Sequence, residues 1–192
     1  MLFWLSAFCL WPAAALAAEY SSVYSTFDLE TTCRLIEEGD EYTYAGTWSC
    51  HGYRDIDIIQ ASSDDRSYAA FGKGGAQHCA FKKTFSRFNT ALSPVEWRLK
   101  NGVPIAAIER WRVTTDDEGG TVTWLVVNAL RQNDSCHVHY VAGSYPDANE
   151  AARRAADELA EGFNCETDVP TVYSTVGEPG ITMMPCGELA RE

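Results

Sequence analysis

Between Cys33 and Ala142 apolar and polar residues alternate with a period of two, interrupted at short intervals by turn-forming residues. The clearest case is Val95-Glu-Trp-Arg-Leu99, which puts Val95, Trp97 and Leu99 on one face of a strand. Asn101-Gly102 follows, a dipeptide that tolerates the positive φ values of a type I′ hairpin turn. Pro104 to Val113 then reads as the return strand, with its proline at the start, where a missing N–H costs least. Thr121 to Leu130 is apolar on both faces and predicts a buried central strand, and Cys136 to Ala142 predicts its neighbour. In that neighbour, alternation places Cys136, Val138, Tyr140 and Ala142 together and turns His137 and His139 the other way. Upstream, Ile56 to Ala61 and Ser67 to Phe71 flank the polar turn 62–66 and predict a second hairpin. Cys33 to Glu38 leads through Gly39-Asp40 into Tyr42 to Cys50, a hairpin that would bring Cys33 beside Cys50. A short helix from Asp28 to Glu38 is the alternative there, since Leu29, Cys33 and Ile36 also stand at helical spacing.

After Ala142 the period changes to 3.6. Ala148, Ala152, Ala155, Ala156, Leu159 and Phe163 make one face of a helix over 147–162, and Asn149, Glu150, Arg153, Arg154, Asp157, Glu158 and Glu161 cover the other. Pro146 and Asp147 supply start chemistry and Gly162 a stop. An alanine face is shallow and lets the helix lie close to a sheet. The pattern therefore predicts an α+β fold: an antiparallel meander of about seven strands, curled or barrel-like, with one C-terminal helix packed on it. Residues 27–168 form this single domain, 18–26 a flexible polar lead-in, and 169–192 a tail.

Met1 to Ala17 is apolar, uncharged and closes on Ala15-Leu16-Ala17, the small-x-small pattern of a cleaved signal peptide. An uncleaved anchor is the alternative, but Pro12 interrupts a run at the short limit for a span. Cleavage leaves 175 of the 192 residues, enough for one domain with its own core. All 27 acidic and 15 basic residues lie in this portion, which therefore carries the whole net charge of −12. Such a balance excludes nonspecific binding to nucleic acid or anionic membranes and suits a soluble protein or a partner with a basic face.

Of seven cysteines, Cys9 falls in the leader, which leaves Cys33, Cys50, Cys79, Cys136, Cys165 and Cys186 for an oxidising compartment. Six cysteines allow 15 connectivities. The first hairpin pairs Cys33 with Cys50. A helix returning across the preceding strand carries Cys165 back to Cys136, and elimination leaves Cys79 with Cys186, which would tie down the tail.

Few residues offer chemistry beyond these bonds. His137 and His139, on one strand face, could chelate Zn²⁺ or Cu²⁺ if His51, His78 or an aspartate came close as a third ligand. Two polar residues on a solvent face explain the same pattern. Cys50-His51 and His78-Cys79 juxtapose thiol and base, but disulfide bonding removes both nucleophiles. Asp55 and Asp57 share a strand face with no partner fixed around them. Gly72-Lys73-Gly74-Gly75 lacks the length and terminal Lys-Ser/Thr of a phosphate loop, and 116–120 lacks calcium-loop spacing. No catalytic set and no cofactor motif is present. Arg98, Arg110 and Arg112 beside Trp97 and Trp111 suggest a binding surface, to which Tyr145 adds a loop aromatic. The alternative is a cross-strand ladder of these arginines with Glu96 and Glu109 around core tryptophans.

The segments Tyr24-Ser-Thr-Phe-Asp-Leu29, Trp48-Ser-Cys-His-Gly-Tyr53, Asp65-Arg66 with Ala70-Phe-Gly72, Val95-Glu-Trp-Arg98, Arg110-Trp111, Cys136-His137-Val138 and Asp147-Ala-Asn149 together carry a resemblance. From Tyr24 to about Asp168 the chain resembles an uncharacterised group of small exported alphaproteobacterial proteins. In that pattern Cys33, Cys50, Cys136 and Cys165 are typical, Cys79 and Cys186 are additions, and His51 replaces an expected proline. The resemblance implies a periplasmic or secreted location and a β-rich fold. The loop Ala142-Gly-Ser-Tyr145 also resembles the Tyr-ending loops of periplasmic lysozyme inhibitors. Together these readings lead to an exported, non-catalytic binding protein whose partner is a basic envelope protein, with no membrane span after cleavage. A metal-binding envelope protein or enzyme using His137 and His139 is the alternative.

Overall fold

The computed structural model describes residues 17–39, 46–115 and 119–189. The signal segment, the start of the expected strand at Tyr42 and the acidic residues 116–118 lie outside these, apart from Ala17. Among the described residues ten strands form: β1 (Tyr20–Ser25), β2 (Cys33–Glu38), β3 (Gly46–Tyr53), β4 (Ile56–Ser63), β5 (Arg66–Phe71), β6 (Asn89–Lys100), β7 (Val103–Thr114), β8 (Thr121–Leu130), β9 (Ser135–Ala142) and β10 (Thr171–Tyr173). Helix α1 (Ala148–Leu159) follows β9, and α2 (Cys186–Leu189) is a single turn near the end. The α+β expectation holds in outline, with more strands than the seven expected.

Two antiparallel meanders are present, but they are separate sheets rather than one. β2-β3-β4-β5 make a four-stranded sheet, and β1-β6-β7-β8-β9-β10 make a six-stranded one. The break falls at Gly72–Phe88, where positive φ at Gly72 and Gly74 and two 3-10 turns, Gly75–Gln77 and Ala80–Lys82, take the chain out of the ladder. The polar lead-in is not loose: Tyr20–Ser25 pairs with Val95–Lys100 as β1. Ser25 accepts from Trp97 Nε1 at 3.0 Å and donates to Gly52 O at 2.7 Å, tying β1 to both sheets. Gly52 has to be glycine, because a Cβ there would sit 2.7 Å from the Trp97 ring. At Asp28 the chain turns, with Cys33 N–H bonded to Asp28 O, and then enters β2, so the short helix does not form.

The six-stranded sheet is buried on both faces. Alternation along β7 sends Ala106 and Ile108 toward α1 and Ala107 and Trp111 away from it. On the helix side Leu125, Val127, Val138 and Val141 meet Ala151, Ala152, Ala155, Ala156 and Ala160. The buried stripe is rotated from the expected one, leaving Leu159 exposed and burying Ala151 and Ala160. Asp147 stands at the helix start with φ 52° and makes no side-chain cap, whereas Arg131 donates to the Ala160 and Phe163 carbonyls at the other end. On the far side Val95, Trp97 and Leu99 pack with Cys50, Ile58 and Phe71 of the second sheet. Phe85 and Ile181 close the remainder over Trp111, Trp124 and Tyr140.

All three expected disulfides form: Cys33–Cys50, Cys79–Cys186 and Cys136–Cys165. The last fastens the segment after α1 to β9. The tail is more structured than expected, since β10 adds to β9 in parallel and Phe85 bridges Ile181.

Candidate functional site

The histidine pair is separated by one residue of register. Asn128 pairs with His137 and Val127 with His139, so Val138 is the extra residue of a bulge in β9. Alternation restarts out of phase after it. Cys136 and Val138 pack on the helix side, but Tyr140 and Ala142 pack on the opposite side, which overturns the expectation of one shared face. His137 Nδ1 lies 2.7 Å from Tyr140 Oη, and His139 Nδ1 lies 2.6 Å from Thr171 Oγ1. Both imidazoles are buried rather than solvent-facing. Burial, together with the neighbouring Lys83 ammonium, drives His137 down to about 3; burial alone brings His139 to about 4. Among the described residues no three His, Cys, Asp or Glu side chains gather as a metal site. Candidate third ligands are committed elsewhere or apart: His51 is exposed, and His78 is buried between Ser135 Oγ (3.1 Å) and Lys73 O (3.0 Å).

That Ser135–His78 contact was not legible in the sequence and has the outline of a nucleophile and base. Its geometry is structural. Ser135 is fully buried, and its oxygen accepts the Phe71 N–H at 3.0 Å, which pins the end of β5 to the start of β9. A 540 Å³ cleft beside it, lined by Asp55, Phe71, Lys73, Leu130 and Arg131, does not include Ser135 or His78. Asp55 sits on this rim, outside β4, while Asp57 lies within β4.

The arginine and tryptophan surface divides by strand face. Trp111 is 1% exposed and points away from Arg110 and Arg112, so it contributes no binding surface. Its indole N–H donates instead to Glu109 Oε2 at 2.9 Å. Arg98 grips Asp157 of α1 with Nε (2.6 Å) and Nη2 (2.7 Å), and so holds the helix to β6. The expected ladder with Glu96 and Glu109 is absent: Glu96 pairs with Arg153 of α1 at 2.6 Å and takes the Ser22 hydroxyl. Arg110 reaches Asn149 Oδ1 at 2.9 Å across a 210 Å³ cleft whose other walls include Tyr24, Glu96, Ile108, Leu125 and Arg153. Arg112 lies on a separate cleft of 340 Å³ with Phe27, Gln60 and Phe88. Tyr145 stacks on Tyr173, 5.7 Å between centroids.

Glu109 is the residue that sequence reasoning placed wrongly. It is fully buried between the sheets, accepting from Gln60 Nε2 of β4 and from Trp111. Burial pushes its carboxyl up to about 8 against the lowering effect of these two donors. The signal was present: Glu109 is in phase with Ala107 and Trp111, the apolar face of β7.

The outer margin of the four-stranded sheet differs in character from this interior. β2 is its edge, paired with β3 alone among the described residues. Leu35 and Ile36 are each 42% exposed there, and the exposed Asp28, Glu30, Glu37 and Glu38 flank them in sequence. The chain matches no family model, no curated protein and no solved structure.

Proposed function

We propose that this chain is an exported, non-catalytic binding protein whose partner presents a basic surface. Supporting the exported location are three disulfides and the absence, among the described residues, of any helix long and apolar enough to cross a membrane. The observation that carries the binding reading is where the acid goes. Against a net charge of −12, the described ion pairs engage Asp64, Glu96, Glu150, Asp157 and Glu161. The exposed carboxylates around β2 form no ion pair with a cation of the chain among the described residues. Charge of one sign left on the surface speeds encounter with a partner of the other sign and discriminates among partners. The six cysteines outside the leader are meanwhile all in disulfides, and His78, His137 and His139 are buried.

A lysozyme, as a strongly basic envelope-directed protein, is the first partner to test. Immobilised protein should retain lysozyme and other basic proteins, with retention falling steeply as salt rises, and should protect cells from lysis if it is an inhibitor. Equal retention of acidic and basic proteins, or none of either, would sink the reading.

A further inference from the structure

β2 is an edge strand of six residues, roughly 20 Å long, with one side of its backbone unpaired among the described residues. Cys33 and Cys50 sit directly opposite one another with Cα atoms 4.2 Å apart, the short spacing of a pair that exchanges no backbone hydrogen bonds. The N–H and C=O of such a residue point away from its neighbour strand. The Cys33 N–H accordingly bonds outward, to Asp28 O in the preceding turn. Two residues on, Leu35 opposite Trp48 repeats the same orientation, so its N–H and C=O also face the open side. The disulfide fixes the register from Cys33 to Leu35, and a bulge at Ile36 shifts it before Glu37.

The other margins are closed, short or uncharged. Ser67 of β5 is covered by Thr84, Asn89 and Ala91, and Phe71 by Ser135. β10 has three residues, and β1 (YSSVYS) carries no charge. From Asp28 to Glu41 the sequence holds Asp28, Glu30, Glu37, Glu38, Asp40 and Glu41 against Arg34 alone. Like charge of this density repels a second copy of the same edge, which is how natural sheets avoid pairing with themselves. It does not repel a basic strand.

Resting on the reading of a basic partner, we infer that β2 docks an extended, basic segment of that partner as an added antiparallel or parallel strand. Main-chain bonds to Leu35 supply the pairing, Leu35 and Ile36 cover the apolar side chains of the incoming strand, and the flanking carboxylates select lysine or arginine at the positions between.

The test uses a short capped peptide of alternating lysine and valine, and the same peptide N-methylated at alternate amides, which keeps charge and side chains but cannot pair. The plain peptide should bind, perturb the amide resonances of Arg34 to Glu38, and protect Leu35 N–H from exchange. N-methylation should weaken binding about tenfold, since the two main-chain bonds at Leu35 are lost together. Leu35→Pro removes an outward N–H at an edge, where proline is tolerated, and should cause a comparable loss while the Cys33–Cys50 bond still forms. Should that variant not fold, the N-methylated arm on the unaltered chain decides. Binding of both peptides within about twofold, perturbations mapping elsewhere, or self-association through β2 overturns the docking mode. If basic proteins still bind in those cases, the functional reading stands without this edge; if no basic probe binds at all, both fall.

Discussion

Gln60 of β4 donates a hydrogen bond to Glu109 of β7, joining the two sheets through a carboxyl that solvent does not reach. An acid in that position stays protonated at neutral pH. Its folded pKa of about 8 lies above the ordinary 4.5, so between those values the folded state holds a proton that the unfolded chain has released. Stability from this group is complete below pH 4.5 and falls as pH rises toward 8, at up to about 1.4 kcal/mol per pH unit. Glu109→Gln keeps the shape and removes the titration. Urea unfolding of both proteins from pH 5 to about 8 should show the variant gaining on the parent with rising pH. Parallel profiles would show that Glu109 is ionised in the fold.

The two buried histidines act with the opposite sign. With folded pKa values of about 3 and 4 against 6.5, His137 and His139 remain neutral while the unfolded chain takes up protons. Their contribution is intact above pH 6.5 and is lost progressively as pH falls below it. Proton NMR should find both imidazoles neutral at about pH 5 in the folded protein. A histidine at either position titrating near 6.5 would mean that the ring reaches water. Taken with Glu109, this places the stability maximum close to neutrality.

How far the fold could be read from the sequence depended on whether local pattern or tertiary contact decided each feature. Val95, Trp97 and Leu99 alternate cleanly, and Asn101 and Gly102 both take positive φ, at 50° and 76°, so that hairpin was legible outright. Two disulfides followed from the hairpin and the helix return, and Cys79–Cys186 only by elimination. β1 was missed because serines mask its alternation, and its partner lies some 70 residues away in sequence, as Tyr24 opposite Glu96 shows. The Val138 bulge has no local marker such as glycine or proline, yet it alone decides that His137 and His139 diverge. Trp111 was misplaced with the arginines although period two already set it on the other face. The β2 edge was legible as a strand but not as an edge, because which strands lack a neighbour is fixed only when the sheets assemble.

Loop length ranks the disulfides. They span 17, 29 and 107 residues for Cys33–Cys50, Cys136–Cys165 and Cys79–Cys186. The chain-entropy relation gives losses of about 3, 4 and 5 kcal/mol on removal, in that order. Paired cysteine-to-alanine variants, compared by chemical denaturation, should follow this ranking. Removing Cys79–Cys186 should also raise hydrogen exchange in Thr171–Tyr173 and around Ile181 before the rest of the six-stranded sheet is affected. A Cys33–Cys50 deletion costing most of the three would show that the native hairpin, and not the unfolded chain, carries the effect.

The grip of Arg98 on Asp157 predicts how α1 is held. Four alanines, with Ala160 just past its end, supply its buried face, so the helix comes close to the sheet but brings little apolar area of its own. Orientation then falls to polar contacts: Arg98 to Asp157, Arg153 to Glu96, and Arg131 to the last carbonyls. The Arg98–Asp157 pair is two parallel hydrogen bonds between side chains 13% and 18% exposed, geometry in which loss of one partner strands the other. Asp157→Ala should therefore cost about 2–3 kcal/mol, well above the 0–1 typical of a surface pair. Arg98→Met, which removes the charge and keeps the stem, should cost less than Asp157→Ala, because Asp157 lies nearer to water at the helix surface than Arg98 does under it. Thermal and urea unfolding of the two single variants and the double variant give the coupling energy directly. Additive losses would mean that Arg98 and Asp157 are not coupled, and that Arg153–Glu96, Arg131 and the Cys136–Cys165 bond hold the helix without them.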